Sequence, residues 1–327
     1  MIRIIDSTLA RLDHCLPSKE QVLTFCYLMR DIGIVDLEIS VKIYKLLESL
    51  PEGFRFYLTL LNTPESVKVY PDVYKLIIPR SQIEGTIGQI QMNDIREVVQ
   101  LKAYEHCSYI RIIGLDDLLC HNYTYVMQEI MTTLINSKVN LCPENLYHCA
   151  TAIAVEWALK GGKEVTTSFT GIGGLAATEE VLMALRITSR YKINQDISAL
   201  VQLKTLFEQM TGEHIQKNKP IIGEAIFCVE SGIHVDGIMK KEAIYEAYSP
   251  TEVGQKRTIV IGKHSGSSAV AAKLKECQIP MLDEAHMRRL LLAVKQVSMK
   301  KRRSISDEEF IVIAREVMAY ERKEKDS

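Results

Sequence analysis

No C-x-x-C pair occurs among the eight cysteines of this 327-residue chain, which fall at 15, 26, 107, 120, 142, 149, 228 and 277. Scattered thiols without metal-ligand spacing argue against a zinc clip or a disulfide frame and suit a reducing compartment. Long apolar runs are missing too, so no segment reads as a transmembrane helix. The opening MIRIIDSTL lacks the basic-then-apolar layout of a signal peptide, and a cytoplasmic protein is expected. Net charge is −1, which removes any electrostatic case for nucleic acid or an anionic membrane as partner. The one dense basic run, KKRR (300–303), reads as a solvated helix end. Phosphate-loop, dinucleotide and zinc-protease signatures are all absent, and GIGG (171–174) alone reads as a turn.

What is present is a core-forming composition, 47% hydrophobic and 25% charged, suited to one large domain and a smaller one. Short β-rich runs alternate with amphipathic helices: MIRII, DLEIS (36–40), FRFYLTL (54–60), YKLIIP (74–79), TIGQIQ (86–91), YIRIIGL (109–115), KVNLC (138–142) and EVTTSF (164–169). Several runs are almost wholly apolar, as expected of a parallel sheet covered on its outside. Eight strands separated by helices predict a (β/α)8 TIM barrel over 1–220. Helices are expected at 94–106, 122–137 and 147–160, and the barrel is expected to be trimmed across 80–108, where a strand and a full helix barely fit. Past Lys219-Pro220 the pattern changes, and 221–327 reads as a small C-terminal α+β linker and helical domain.

Two acids at strand ends attract a functional reading, Asp6 in IIDSTLARLD and Glu38 in DLEIS. In a barrel such positions can face the mouth where chemistry is done, although Glu38 fits a polar rim equally well. His121 and His148 stand alone and read as structural. The C-terminal domain is denser in chemistry: ESGIHVDG places Glu230, His234 and Asp236 within seven residues, between glycines that allow close backbone approach. GKHSG (262–266) adds His264.

GEAIFCVESGIHVDGIMK, YEAYSPTEVG and IVIGKHSG closely resemble the C-terminal region of homocitrate synthases and, less closely, 2-isopropylmalate synthases. The resemblance is specific over 220–275 and fainter elsewhere, where IIDSTL is similar to the family's opening D-T-T-L-R-D-G-E-Q. It implies a barrel that condenses acetyl-CoA with a 2-oxo acid at a divalent metal, with an arginine polarising the ketone. The metal ligands it implies are the opening Asp, an H-x-H pair and a later Asn.

Transferred residue by residue, most of that site is missing. Asp6 is kept, but Ala10 stands at the arginine position, and Pro143 and Asn145 stand at the two histidines. TGIGGLAATEE is shorter than the family segment and lacks its asparagine, and Gly114-Leu115 replace an Asp-Thr. One carboxylate does not hold a catalytic divalent ion, so Asp6 reads as a remnant and no cofactor is expected on this chain.

His234 and, eleven residues on, Tyr245 are intact. In this family these groups complete the partner subunit's site. The resemblance therefore implies a hetero-oligomer in which this chain lends His234 and Tyr245 to a metal-holding, synthase-type barrel; the residues themselves add Glu230 as a catalytic candidate and Glu38 and His264 as substrate-binding candidates. Acetyl-CoA and 2-oxoglutarate are the expected substrates. A self-dimer acting as a non-catalytic scaffold or regulator is the alternative reading. A carbon–carbon lyase using Asp6, Glu38 and Asp116 is a third.

Overall fold

The structure, a computed structural model, describes residues 2–60, 69–188, 196–230 and 232–325. It divides into two compact units, Met1–Ile222 and Gly223–Ser327.

The first unit is the expected closed barrel. Strands β1 (Arg3–Asp6), β2 (Asp36–Ile39), β3 (Arg55–Thr59), β4 (Lys75–Pro79), β5 (Ile87–Met92), β6 (Tyr109–Gly114), β7 (Lys138–Pro143) and β8 (Glu164–Thr167) pair in sequence order, all parallel, and β8 closes on β1. Helix α1 (Lys19–Asp31) begins in a capping box between Ser18 and Gln21, and its face of Val22, Phe25, Cys26 and Met29 is buried. Helices α2 (Val41–Leu47), α3 (Tyr123–Thr133), α4 (Ala150–Leu159), α5 (Thr178–Thr188) and α6 (Leu200–Thr211) complete the coat.

The trimming falls across β4 to β6. No helix joins β4 to β5, and the stretch expected as an α-helix at 94–106 is a 3₁₀ helix, Ile95–Tyr104, capped by Asp94. A 3₁₀ helix rises more per residue than an α-helix, so it spans the same gap with fewer residues. It buries only Val98 and Leu101.

Side chains alternate between lumen and coat with a period of two, which fixes what the barrel encloses. Ile5, Tyr57, Ile77, Ile87 and Tyr109 meet as one buried cluster in the lumen. On the same parity, nearer the N-terminal ends of the strands, Asp36 takes Arg3, Arg55 and the Tyr57 hydroxyl, while Glu164 takes Arg3, Lys138 and the Tyr109 hydroxyl.

The second unit has a two-stranded parallel pair, β9 (Cys228–Val229) and β10 (Thr258–Ile259), with helices α7 (Gly232–Lys241), α8 (Ser267–Glu276), α9 (Glu284–Lys301) and α10 (Asp307–Lys325). Ile261, Val270, Leu274, Leu290, Val294 and Phe310 form its core. Ser306 and Glu309 form a capping box at the start of the last helix, with Ser306 N–H donating to Glu309 Oε2 at 2.8 Å. Among the described residues no helix is long and apolar enough to cross a membrane.

Candidate functional site

The mouth of a (β/α)8 barrel, at the C-terminal ends of the strands, is the default place for chemistry. Here it is filled. Toward that end, Arg111 Nη1 donates to Glu38 Oε2 at 2.7 Å, Arg111 Nε to Asn140 Oδ1 at 3.1 Å, and Thr166 Oγ1 to the same Asn140 oxygen at 2.8 Å. Thr59 donates to the other Glu38 oxygen. Above this network Ile113, Cys142 and Leu175 form a buried apolar cap. Burial pushes the Cys142 thiol up to about 12, so it is no thiolate at neutral pH.

The cap is held by the loop after β8. Glu144 and Leu175 form an antiparallel bridge, and Asn145 N–H donates to Gly174 O at 2.8 Å. A Cβ on Gly173 would lie 3.1 Å from Arg11 Cδ, so glycine there lets the Arg11 side chain lie against the loop. Gly173 thus serves close packing, while Gly171 and Gly174, at φ 80° and 73°, make the expected turn.

Two expectations for the barrel are corrected. Asp6 has the opposite parity to Ile5, so it points away from the lumen. Its Oδ1 accepts from Thr8 N–H at 3.0 Å and its Oδ2 from the Thr178 hydroxyl at 2.6 Å. It is therefore a buried structural acid rather than a remnant metal ligand, and burial raises its pKa to about 6 against the pull of these hydrogen bonds. Glu38 is 2% exposed with both oxygens engaged, so the lumen network rather than a substrate occupies it. Of the residues at the family's histidine positions, Pro143 is buried and Asn145 accepts Ala150 N–H at the start of α4. Among the described residues no three His, Cys, Asp or Glu side chains are grouped to hold a metal. The described residues of this barrel therefore offer no ligand set for a catalytic divalent ion. Asp116, half-buried in the loop after β6, belongs to no such group either.

The second unit presents the opposite picture. Glu230, His234 and Tyr245 line one cleft of about 420 Å³, together with Phe227, Ile238 and Tyr248. His234 lies on α7 and is exposed, while Tyr245 ends the short helical turn after it and is 45% exposed. Their rings meet edge to face with centroids 5.8 Å apart. The approach depends on Gly237, one turn along α7 from His234, because a Cβ there would come within 2.3 Å of the Tyr245 ring. From the other side Arg257 clamps the turn, donating to Glu246 Oε1 at 2.8 Å and to Glu242 Oε2 at 2.9 Å, while Tyr245 N–H bonds Glu242 O.

Glu230 is held by the GKHSG loop: His264 N–H donates to its Oε1 at 2.9 Å and Ser265 Oγ to its carbonyl at 3.2 Å. His264 itself corrects an expectation. Its backbone, not its exposed ring, serves the cleft, whose lining does not include it. The side chain of Asp236 lies outside the described residues. Gly237, expected to allow close backbone approach, allows close approach of the Tyr245 ring instead, while Arg257 and its ion pairs carry no signal in the sequence.

Residues 221–302, which carry this cleft, match the family described as homocitrate synthase post-HMGL domain-like. Over 96% of its length the chain is 29% identical to a protein named homocitrate synthase, omega subunit, from Clostridium pasteurianum, covering 95% of that relative. The likeness to homocitrate synthases thus runs along the chain, with the family model itself matched over 221–302. It is also 32% identical, over 66% of its length, to homocitrate synthase AksA from Methanocaldococcus jannaschii. To homocitrate synthase 1 from a Nostoc species it is 34% identical over 59%. These two alignments cover 54% and 52% of the family members concerned, about half their length. Among solved structures, a hydroxymethylglutaryl-CoA lyase from Pseudomonas aeruginosa superposes with a TM-score of 0.53 at 12% identity, over 65% of this chain and 94% of that one. At that identity the likeness speaks for the barrel fold alone.

Proposed function

We propose that this chain is the metal-free subunit of a two-subunit homocitrate synthase, and that it lends His234 and Tyr245, with Glu230 beside them, to the barrel of a metal-binding partner. The reaction it supports joins the methyl carbon of acetyl-CoA to the ketone carbon of 2-oxoglutarate, and water then releases homocitrate and CoA. One contrast carries the reading: the barrel's mouth is occupied by its own side chains, while the His234–Tyr245 pair stands open on the other unit. The word subunit in the name of the Clostridium relative, whose length this chain nearly spans, supports it.

In this reading an imidazole nitrogen of His234 moves a proton at the substrate's reacting end, the general acid–base role that imidazoles most often take. The Tyr245 phenol sits at its edge as a hydrogen-bond donor, and Glu230 fixes the floor of the cleft through the GKHSG loop. A scaffold or regulatory role, with the same dimer but no chemistry, is the competing reading.

Mixing decides between them. The purified chain is expected to release no CoA from acetyl-CoA and 2-oxoglutarate, and chelators are expected to leave its melting temperature unchanged. Addition of a synthase-type barrel subunit with an intact metal site is expected to give activity. Substituting His234→Ala in this chain should lower kcat of the mixture about 100-fold or more, as for a lost proton-transfer group. Full activity with His234→Ala would leave only the scaffold role.

A further inference from the structure

Glu230 lines a second cavity besides the His234–Tyr245 cleft. This one, about 480 Å³, is walled by Lys263, Ser298, Met299, Arg302, Arg303 and Ser304. Three cations face one carboxylate, and that carboxylate already accepts a backbone N–H from His264. The basic run KKRR therefore does more than end a helix. Lys301 and Arg303 both converge on Glu309, with Arg303 Nη2 at 2.6 Å from its Oε1. Arg303 Nη1 also donates to Ser304 O at 2.8 Å, so this guanidinium is fixed in place.

Arg302 is the residue left over. It caps α9 in the left-handed region at φ 53°, where glycine or asparagine is the usual choice. Neither Arg302 nor Lys263 has a carboxylate partner among the described residues, and both line the cavity. Two uncommitted cations and a pinned guanidinium beside serine hydroxyls are suited to the tetrahedral oxygens of a phosphate group.

We infer that this basic cavity binds a phosphate group, that of the nucleotide end of coenzyme A, while the thioester end of the same molecule reaches the His234–Tyr245 cleft across Glu230. The assignment of coenzyme A, though not of the phosphate chemistry, rests on the function proposed above. Free phosphate or pyrophosphate offers the same chemistry from another source, and the titration separates them.

The test is calorimetric titration of the full chain, alone and mixed with a metal-binding barrel subunit, with CoA, dephospho-CoA and inorganic pyrophosphate. CoA is expected to bind, and dephospho-CoA to bind about tenfold more weakly, as befits one lost charge-assisted contact. Pyrophosphate should compete. Lys263→Ala and Arg302→Ala should each weaken CoA about fivefold to tenfold, and affinity should fall as salt rises. In the mixed enzyme the same variants should raise KM for acetyl-CoA and leave kcat in place, whereas His234→Ala acts on kcat. Loss of CoA binding in Arg302→Ala would therefore uphold the cavity even if His234→Ala proved harmless. Tight pyrophosphate binding with CoA and dephospho-CoA bound equally would overturn the coenzyme A assignment. CoA affinity unchanged in both variants, or no anion bound by chain or mixture, would overturn the site.

Discussion

Arg111 is the sharpest place to test whether the lumen is plugged by structure rather than kept for chemistry. It is 0% exposed and donates to Glu38 and Asn140, and no other cation lies beside Glu38 in that network. Substituting Arg111→Met removes the guanidinium while filling similar volume, and leaves the Glu38 carboxylate buried with only the Thr59 hydroxyl. Breaking a buried pair by removing one partner costs about 3–5 kcal/mol. Unfolding entropy of about 2.1 cal/mol/K per residue gives a 222-residue unit roughly 0.47 kcal/mol/K, so the barrel's melting temperature should fall by about 6–11 °C. The double variant Glu38→Gln/Arg111→Met leaves no unpaired charge and should recover most of that loss. Differential scanning calorimetry of the two variants beside the unsubstituted chain reads both numbers. A fall under about 2 °C for Arg111→Met, or a double variant no better than the single, would refute the picture of a closed ionic plug.

Asp6 makes a pH prediction. Its folded pKa, raised by burial to about 6, lies above the usual carboxylate value, so between about pH 4 and 6 the folded chain holds a proton that the unfolded chain has lost. Its contribution is fully present below the unfolded pKa and is lost as pH rises through about 6. Asp6→Asn keeps an acceptor for Thr8 N–H, and is expected to flatten that part of the stability–pH curve and to raise stability by about 1–2 kcal/mol at pH 8, measured by urea denaturation. An unchanged slope would show that Asp6 is not the group titrating. Gly237→Ala should displace the Tyr245 ring by the 2.3 Å clash. In the mixed enzyme this is expected to lower kcat at least about tenfold with the far-ultraviolet circular dichroism unchanged, and an unaltered kcat would show that the ring pair is not needed.

Much of the barrel was legible because its strands announce themselves. YIRII and KLII are buried on both faces, and runs without alternation between turn signals are the mark of a covered parallel strand. That same feature hid the parity. In MIRIID both Ile4 and Ile5 are buried, so nothing in the letters says which faces the lumen, and reading Asp6 as the remnant of a lumen site supposes the wrong parity, since it faces the coat. Glu38 was placed at the mouth correctly in height but not in state, because its partner Arg111 lies four strands away and β6 reads as apolar around it. The 3₁₀ helix at Ile95–Tyr104 carries an amphipathic pattern that suits an α-helix equally well, and only the available length selects the tighter coil. His234 and Tyr245 could be named from the resemblance, but their ring contact depends on a glycine whose purpose shows only as missing volume.

The bridge between Glu144 and Leu175 bears on the history of this chain. Installing histidines at positions 143 and 145 would meet a closed backbone seam and a side chain already spent on the start of α4, so two substitutions would not reopen the mouth. Recovery would need the loop after β8 to be rebuilt at the same time, and each step taken alone would cost stability without returning activity. The seam acts as a ratchet: with the loop closed over the lumen, no single substitution reopens it.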